Sequence, residues 1–167
     1  MPPPPSDRNV LLKTVNVDAM VTPQPPHIPV IVLNLEDGRS FTLYYVPYEI
    51  VIAINKLQRK TDNPVVEFGS RETLFEVLLD FQPLLKELKE KLIRVIIDEF
   101  NYETALYTAT VEFNLGGIIM KRKMVPSHAV YLALLLGKPI YVLSKLVDEQ
   151  EALEEEMKDL EDEGQQT

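Results

Sequence analysis

A mixed α+β domain with a mainly antiparallel sheet is the fold class this sequence predicts, and three observations carry it. The first is Val125 to Val142, a helix-to-strand unit with its punctuation in place. Pro126 presets φ for a helix start, and Ser127 is placed to accept an orphan N–H there. Apolar residues fill nearly every position to Leu136, Gly137 offers a left-handed close, and Pro139 blocks continuation. Ile140-Tyr141-Val142 then reads as a short buried strand. The second is Asp37-Gly38 between two apolar runs, a strong hairpin signal. The third is residues 105–114, where Tyr107, Ala109, Val111 and Phe113 alternate with Thr108, Thr110, Glu112 and Asn114. That period of two predicts a sheet covered on one side only.

The elements follow in order. Met1 to Asn9 is a proline-rich lead-in expected to be disordered or polyproline-like. Val10 to Val17 alternates loosely and begins the sheet. Pro23 to Pro29, with four prolines around His27, is a stiff connector. Val30 to Leu35 and Ser40 to Val46 form the hairpin. Tyr48 to Gln58 is a helix with Ile50, Ile54 and Leu57 on one face, and a polar loop from Arg59 to Asn63 leads into the run from Pro64 to Phe68. Ser70 is placed to cap a helix reaching about Phe81, with Leu74, Phe75, Leu78 and Leu79 inward. Pro83 breaks it. Leu84 to Leu92 carries a short helix, Ile93 to Phe100 a strand, Asn101 to Thr104 a turn, and Ala105 to Asn114 the alternating strand. Gly116-Gly117 turns the chain into a strand from Ile118 to Met124.

A weak internal repeat runs through this order, and it reflects either a duplication or the likeness of strand-proline-helix entries in any α+β protein. Thr42 to Leu57 and Lys121 to Leu136 align at an offset of 79, each a strand ending in Val-Pro followed by an apolar helix. Pro47 matches Pro126, and Glu49 matches His128. A structural duplication would place Glu49 and His128 in equivalent first turns.

Composition narrows the class. The chain is 46% hydrophobic and 26% charged, enough apolar residues for one domain with a sizeable core. No stretch approaches the roughly 20 apolar residues of a membrane helix. The N-terminus lacks the apolar core of a signal peptide, so a cytoplasmic protein is expected. Without cysteine there is neither disulfide nor thiolate metal site, and His27 and His128 are too few for a histidine-based zinc site. The formal charge of −9 is carried by residues 148–167, which hold ten acidic side chains and only Lys158 in opposition. Residues 1–147 are neutral. Nucleic-acid binders usually present a basic surface that releases counterions, so DNA or RNA as a partner gains little from this balance.

The Val125 to Val142 unit resembles the C-terminal motif of the bifunctional nuclease domain family, in which Asp-Ala-Arg-Pro-Ser-Asp-Ala precedes a small-residue-rich helix and Gly-x-Pro-Ile-Tyr-Val. Val30-Ile31-Val32-Leu33, the Asp37-Gly38 turn and Val46-Pro47-Tyr48-Glu49 resemble the family's opening hairpin and its Glu-containing helix. The resemblance covers roughly residues 10–143 and implies a nuclease acting on DNA or RNA, with a divalent metal such as magnesium. The polar positions depart from the pattern. Asp-Ala-Arg is here Lys123-Met124-Val125, the Asp after Pro-Ser is His128, and the mid-chain Thr-His-Asp-Leu is Arg71-Glu72-Thr73-Leu74.

Four residues are the site candidates. A carboxylate in a first helical turn is favoured by the exposed N–H groups, which alone accounts for Glu49; the functional reading makes it a metal ligand or general base. Glu67, Glu72, Asp98, Glu99 and Glu103 are the available partners, and no spacing singles one out. His128 is either a structural histidine or a general acid or base near neutral pH. Lys121 and Lys123, on one side of a strand with Arg122 on the other, either hold a phosphate backbone or guard a sheet edge from stray pairing. No glycine-rich phosphate loop, hydrolase triad signature or aromatic stacking motif is present.

The acidic end supplies a different expectation. Leu143, Leu146, Gln150, Leu153, Met157 and Leu160 recur at the 3,4 spacing of a coiled-coil seam with one polar position. Its glutamates would repel in a parallel pair unless basic residues meet them. Packing of an amphipathic helix on its own domain, fraying from Glu161, fits the same spacing. The domains are thus a lead-in at 1–9, a nuclease-like domain at 10–147 and an acidic helix or tail at 148–167. The function expected is phosphodiester hydrolysis by resemblance, or a catalytically degenerate oligomeric interaction module; a homo-oligomer is expected, and a membrane is not.

Overall fold

In a computed structural model, residues 10–59 and 71–165 are described. The order is β1 (Leu11–Val21), β2 (Pro29–Leu35), β3 (Ser40–Tyr44), α1 (Tyr48–Leu57), α2 (Leu74–Asp80), α3 (Lys86–Lys91), β4 (Leu92–Asn101), β5 (Leu106–Asn114), β6 (Ile119–Met124), α4 (Pro126–Leu136), β7 (Ile140–Leu143) and α5 (Ser144–Gln165). A 3-10 turn, Gln82–Leu84, follows α2 where Pro83 forbids its extension. The fold is α+β. The expected loop after Arg59, the extended run from Pro64 to Phe68 with Glu67, and the Ser70 cap lie outside the described residues; Thr73 instead caps α2, its hydroxyl accepting from the Glu76 N–H.

The seven strands form one sheet in the order β3-β2-β1-β7-β4-β5-β6. Every pairing is antiparallel except β4 with β7. The order is a palindrome about β7. On each side lies a three-stranded meander, and each meander runs through a Val-Pro entry into a helix on the same face. α1 packs on β1 and β2, α4 packs on β4 and β5, and the two helices pack on each other. Because β7 runs against β1 and along β4, those two strands run oppositely, as a twofold normal to the sheet requires. The repeat at offset 79 is therefore a structural one.

The core lies between this sheet face and the helices. Ile31, Leu33, Phe41, Val95, Ile97, Ala109, Val111 and Val142 are buried against Ile50, Val51, Ile54, Val130, Ala133 and Leu135. Burying a large apolar side chain contributes roughly 1.5–3 kcal/mol, so these two helices and the sheet face they cover dominate stability. α1 is buried from Ile50 to Asn55, more completely than a one-faced amphipathic helix, because α2 closes its outer side. α4 ends as expected at Gly137, at φ +66°. Ser127 is not its cap: the helix starts from Val125, with Pro126 as its first residue, and the serine side chain makes no capping bond. Leu74 is also exposed, contrary to expectation, since the inward stripe of α2 starts one residue later at Phe75.

Two further departures shape the surface. β3 stops at Tyr44 because Tyr45 takes φ +56°, a left-handed conformation that ends the ladder. The polar side of β5 is not open to solvent. Glu112 is 7% exposed, gripped by the Arg94 guanidinium through two bonds of 3.2 Å, and Arg94 lies 5.7 Å above the Tyr141 ring. Thr110 is buried beside it and donates to both Asp98 oxygens at 3.0 Å. Alternation reports polarity, and long polar side chains have covered this face themselves.

The proposed break between residues 147 and 148 falls inside α5, one continuous helix that begins directly after β7. Its first half is docked: Leu146, Val147 and Gln150 are buried. Arg39, in the β2–β3 turn, donates to Asp148 at 2.6 Å and Glu151 at 3.1 Å. The Gln150 amide accepts from the Thr42 N–H at 2.8 Å and donates to the Thr42 carbonyl at 2.9 Å. It thereby imitates one residue of a further strand on the outer edge of β3.

Candidate interaction site

The sheet curls so that its two halves approach, Phe41 of β3 meeting Tyr107 of β5 edge to face at 5.0 Å between ring centroids. Between the end of β3 and the ends of β5 and β6 lies a cleft of about 870 Å³. Tyr44, Tyr45 and Val46 form one wall; Leu106, Lys123 and Met124 form the other. Both Val-Pro entries open onto it, through Pro47 and Pro126. A neighbouring depression holds Asp98, Glu99, Tyr102 and Lys145, and shares Glu99 and Thr108 with the cleft. A third holds His27, Tyr48 and Glu49, and shares Tyr45, Val46 and Pro47.

Tyr45 stands 73% exposed between two of these depressions. A bulky residue at positive φ costs energy, and such outliers concentrate where function has fixed the backbone. The sequence held no signal for it, because tyrosine after a strand normally continues the strand. Glu99 and Lys123 form an ion pair at the junction of two depressions. Asp98 lies in a bulge of β4. Burial pushes its carboxyl above the usual value and the Glu99 charge adds to this, while the Thr110 hydrogen bond and Lys123 act in the opposite sense. This group of Asp98, Glu99, Thr110 and Lys123 was only partly legible, since the bulge that brings the acidic pair round has no mark in the sequence.

The four candidates are not brought together. Glu49 does occupy the first turn of α1 and His128 the first turn of α4, as the repeat requires. Glu49 lines the depression with His27, while the His128 ring packs edge to face on Phe75 at 5.4 Å. His128 is not among the residues lining the cleft. Lys123 is engaged by Glu99, and Lys121 stands exposed on the outermost strand opposite Glu112 in register. Among the described residues no three His, Asp or Glu side chains cluster as a metal site would need. The residues described therefore do not fit a resident divalent metal. No described helix is long and apolar enough to cross a membrane.

No family model matches the chain, and no curated protein matches it.

Proposed function

We propose that this chain is a self-assembling interaction module, catalytically degenerate, on a fold resembling that of the bifunctional nucleases. The observation that carries the reading is the outer half of α5. From residue 151 to 164 every residue is exposed, and Leu153, Met157 and Leu160 line up at seam spacing, each more than half exposed. Burying such side chains against a partner contributes roughly 1.5–3 kcal/mol each before ordering costs, which is ample for association. The scatter of Glu49, His128 and Lys121 over separate surfaces supports the same reading. We place the module in the cytoplasm, where a chain without cysteine has nothing to gain from oxidation.

Light scattering on the full chain tests this. The wild type is expected to exceed the monomer mass, and Leu153→Ser, Met157→Ser and Leu160→Ser together should return it toward monomer while the circular dichroism is unchanged. A monomeric wild type, or an unchanged mass in the triple variant, removes the seam from any assembly.

Phosphodiester hydrolysis is the second reading, favoured by the carboxylates and Lys123 at the junction of the cleft and its neighbour. An assay on DNA and RNA with magnesium or manganese, beside Glu99→Gln and Glu49→Ala, decides it. Metal-dependent turnover lost in either variant would overturn the degenerate reading, and silence on every substrate would sustain it.

A further inference from the structure

Resting on the assembly reading, we propose that the outer half of α5 of one copy docks on the β6 edge and β5–β6 turn of a second copy, a head-to-tail contact between an acidic apolar helix face and a basic apolar strand edge. The helix face excludes pairing with itself. Written as heptads through Leu146, Gln150, Leu153, Met157 and Leu160, the positions flanking the seam in the outer half are Glu154, Glu156, Glu161 and Glu163. All four are acidic, so a parallel pair of these helices would set carboxylates against carboxylates. Residues 151–164 hold eight acidic side chains and one lysine. A helix of this kind fits a partner surface that is apolar and positively charged.

The chain carries such a surface. Among the described residues β6 is an outermost strand paired only with β5, and its outer edge presents backbone groups with no described strand against them. Lys121 and Arg122 are exposed, and neither makes an ion pair with a described residue. Ile118 is 72% exposed and Ile119 48%, beside an exposed Leu115 in the same turn. The other outermost described strand, β3, is already met by α5, through Gln150 on Thr42 and through Glu154, which accepts from the Tyr44 hydroxyl at 3.0 Å. The outer half of α5 spans about 20 Å at 1.5 Å per residue, and the six residues of β6 about the same at 3.3 Å per residue. Helix and strand are different surfaces, so the contact is heterologous and each copy offers one of each.

Charge exchange tests the pairing. One full-length variant carries K121E and R122E, so helix and strand are both acidic; another carries E156K and E161K, so two of the four acidic flanks turn basic toward a basic strand. All four positions are exposed, and circular dichroism checks that each variant is folded. By sedimentation velocity at low salt, each variant alone should associate about tenfold more weakly than wild type, or worse, because like charges face each other. An equimolar mixture of the two should recover assembly. High salt should weaken the wild type. If wild type assembles and both variants assemble as well as it does, or the mixture fails to recover, this pairing is wrong while self-assembly stands. If wild type is monomeric throughout, the assembly reading fails with it.

Discussion

Replacing Gln150 isolates what holds α5 to the sheet. The side chain is 7% exposed and makes two hydrogen bonds to the backbone of Thr42, at 2.8 and 2.9 Å. Leucine keeps nearly the same volume and abolishes both. At roughly 1 kcal/mol net per bond, Gln150→Leu should cost about 2 kcal/mol. In a domain of this size that corresponds to roughly 4–8 °C in Tm. Urea denaturation followed by circular dichroism reads the change. Gln150→Glu refines the test, because its carboxylate can accept from the Thr42 N–H but sets its second oxygen against the Thr42 carbonyl. Protonation restores a donor, so the folded state should hold this carboxyl above its ordinary value. Stability relative to wild type should then rise as pH falls from 7 toward about 4, near the ordinary carboxylate range. A loss below about 0.5 kcal/mol in Gln150→Leu, within the scatter of ordinary surface substitutions, would refute the idea that this amide completes the edge.

Three other outcomes follow from the same geometry. Arg39→Ala removes partly exposed ion pairs to Asp148 and Glu151, so it should cost about 1 kcal/mol or less, diminish further in high salt, and show as faster amide exchange in the first turns of α5. Tyr131, whose hydroxyl donates to the Phe75 carbonyl, is pushed up to about 12 by burial and by the Glu76 charge. Its stabilising contribution should be intact below pH 10 and lost between pH 10 and about 12, since the unfolded chain gives up that proton first; Tyr131→Phe should flatten this part of a pH titration of stability and cost about 1 kcal/mol at neutral pH. Gly137→Ala meets no atom within 4 Å, so only the left-handed conformation opposes it, and a loss of about 1–2 kcal/mol by urea denaturation is expected.

Local order was legible wherever a residue type forces the backbone. Asp37-Gly38, Gly116-Gly117, Pro83, and the Val-Pro entries at Pro47 and Pro126 all mark the boundaries observed. The repeat was legible too, because duplicated strand-proline-helix units keep their spacing. What could not be read is whatever depends on distant neighbours. Nothing local places Ile140–Leu143 between β1 and β4, turns Gln150 from a seam position into a partner for Thr42, or bends Tyr45 left-handed. The candidate residues lie apart for a related reason. Glu49 and His128 hold their expected turns, but helical position does not determine which neighbour a side chain meets, and α2 supplies Phe75 to one while the prolyl connector supplies His27 to the other.

The central position of β7 has a consequence for synthesis. Among the described strands it comes last in order and has no counterpart in either half, yet it bridges β1 and β4. As the polypeptide leaves the ribosome, each meander with its helix can form from contiguous residues, but the inner edges of β1 and β4 stay bare until Ile140 to Leu143 emerge. α4, which follows β6 directly, is then already in reach of α1 and can hold the halves at the separation one strand needs. The continuous sheet therefore forms after both of its halves, sealed from its middle by four residues that α5 follows without a linker.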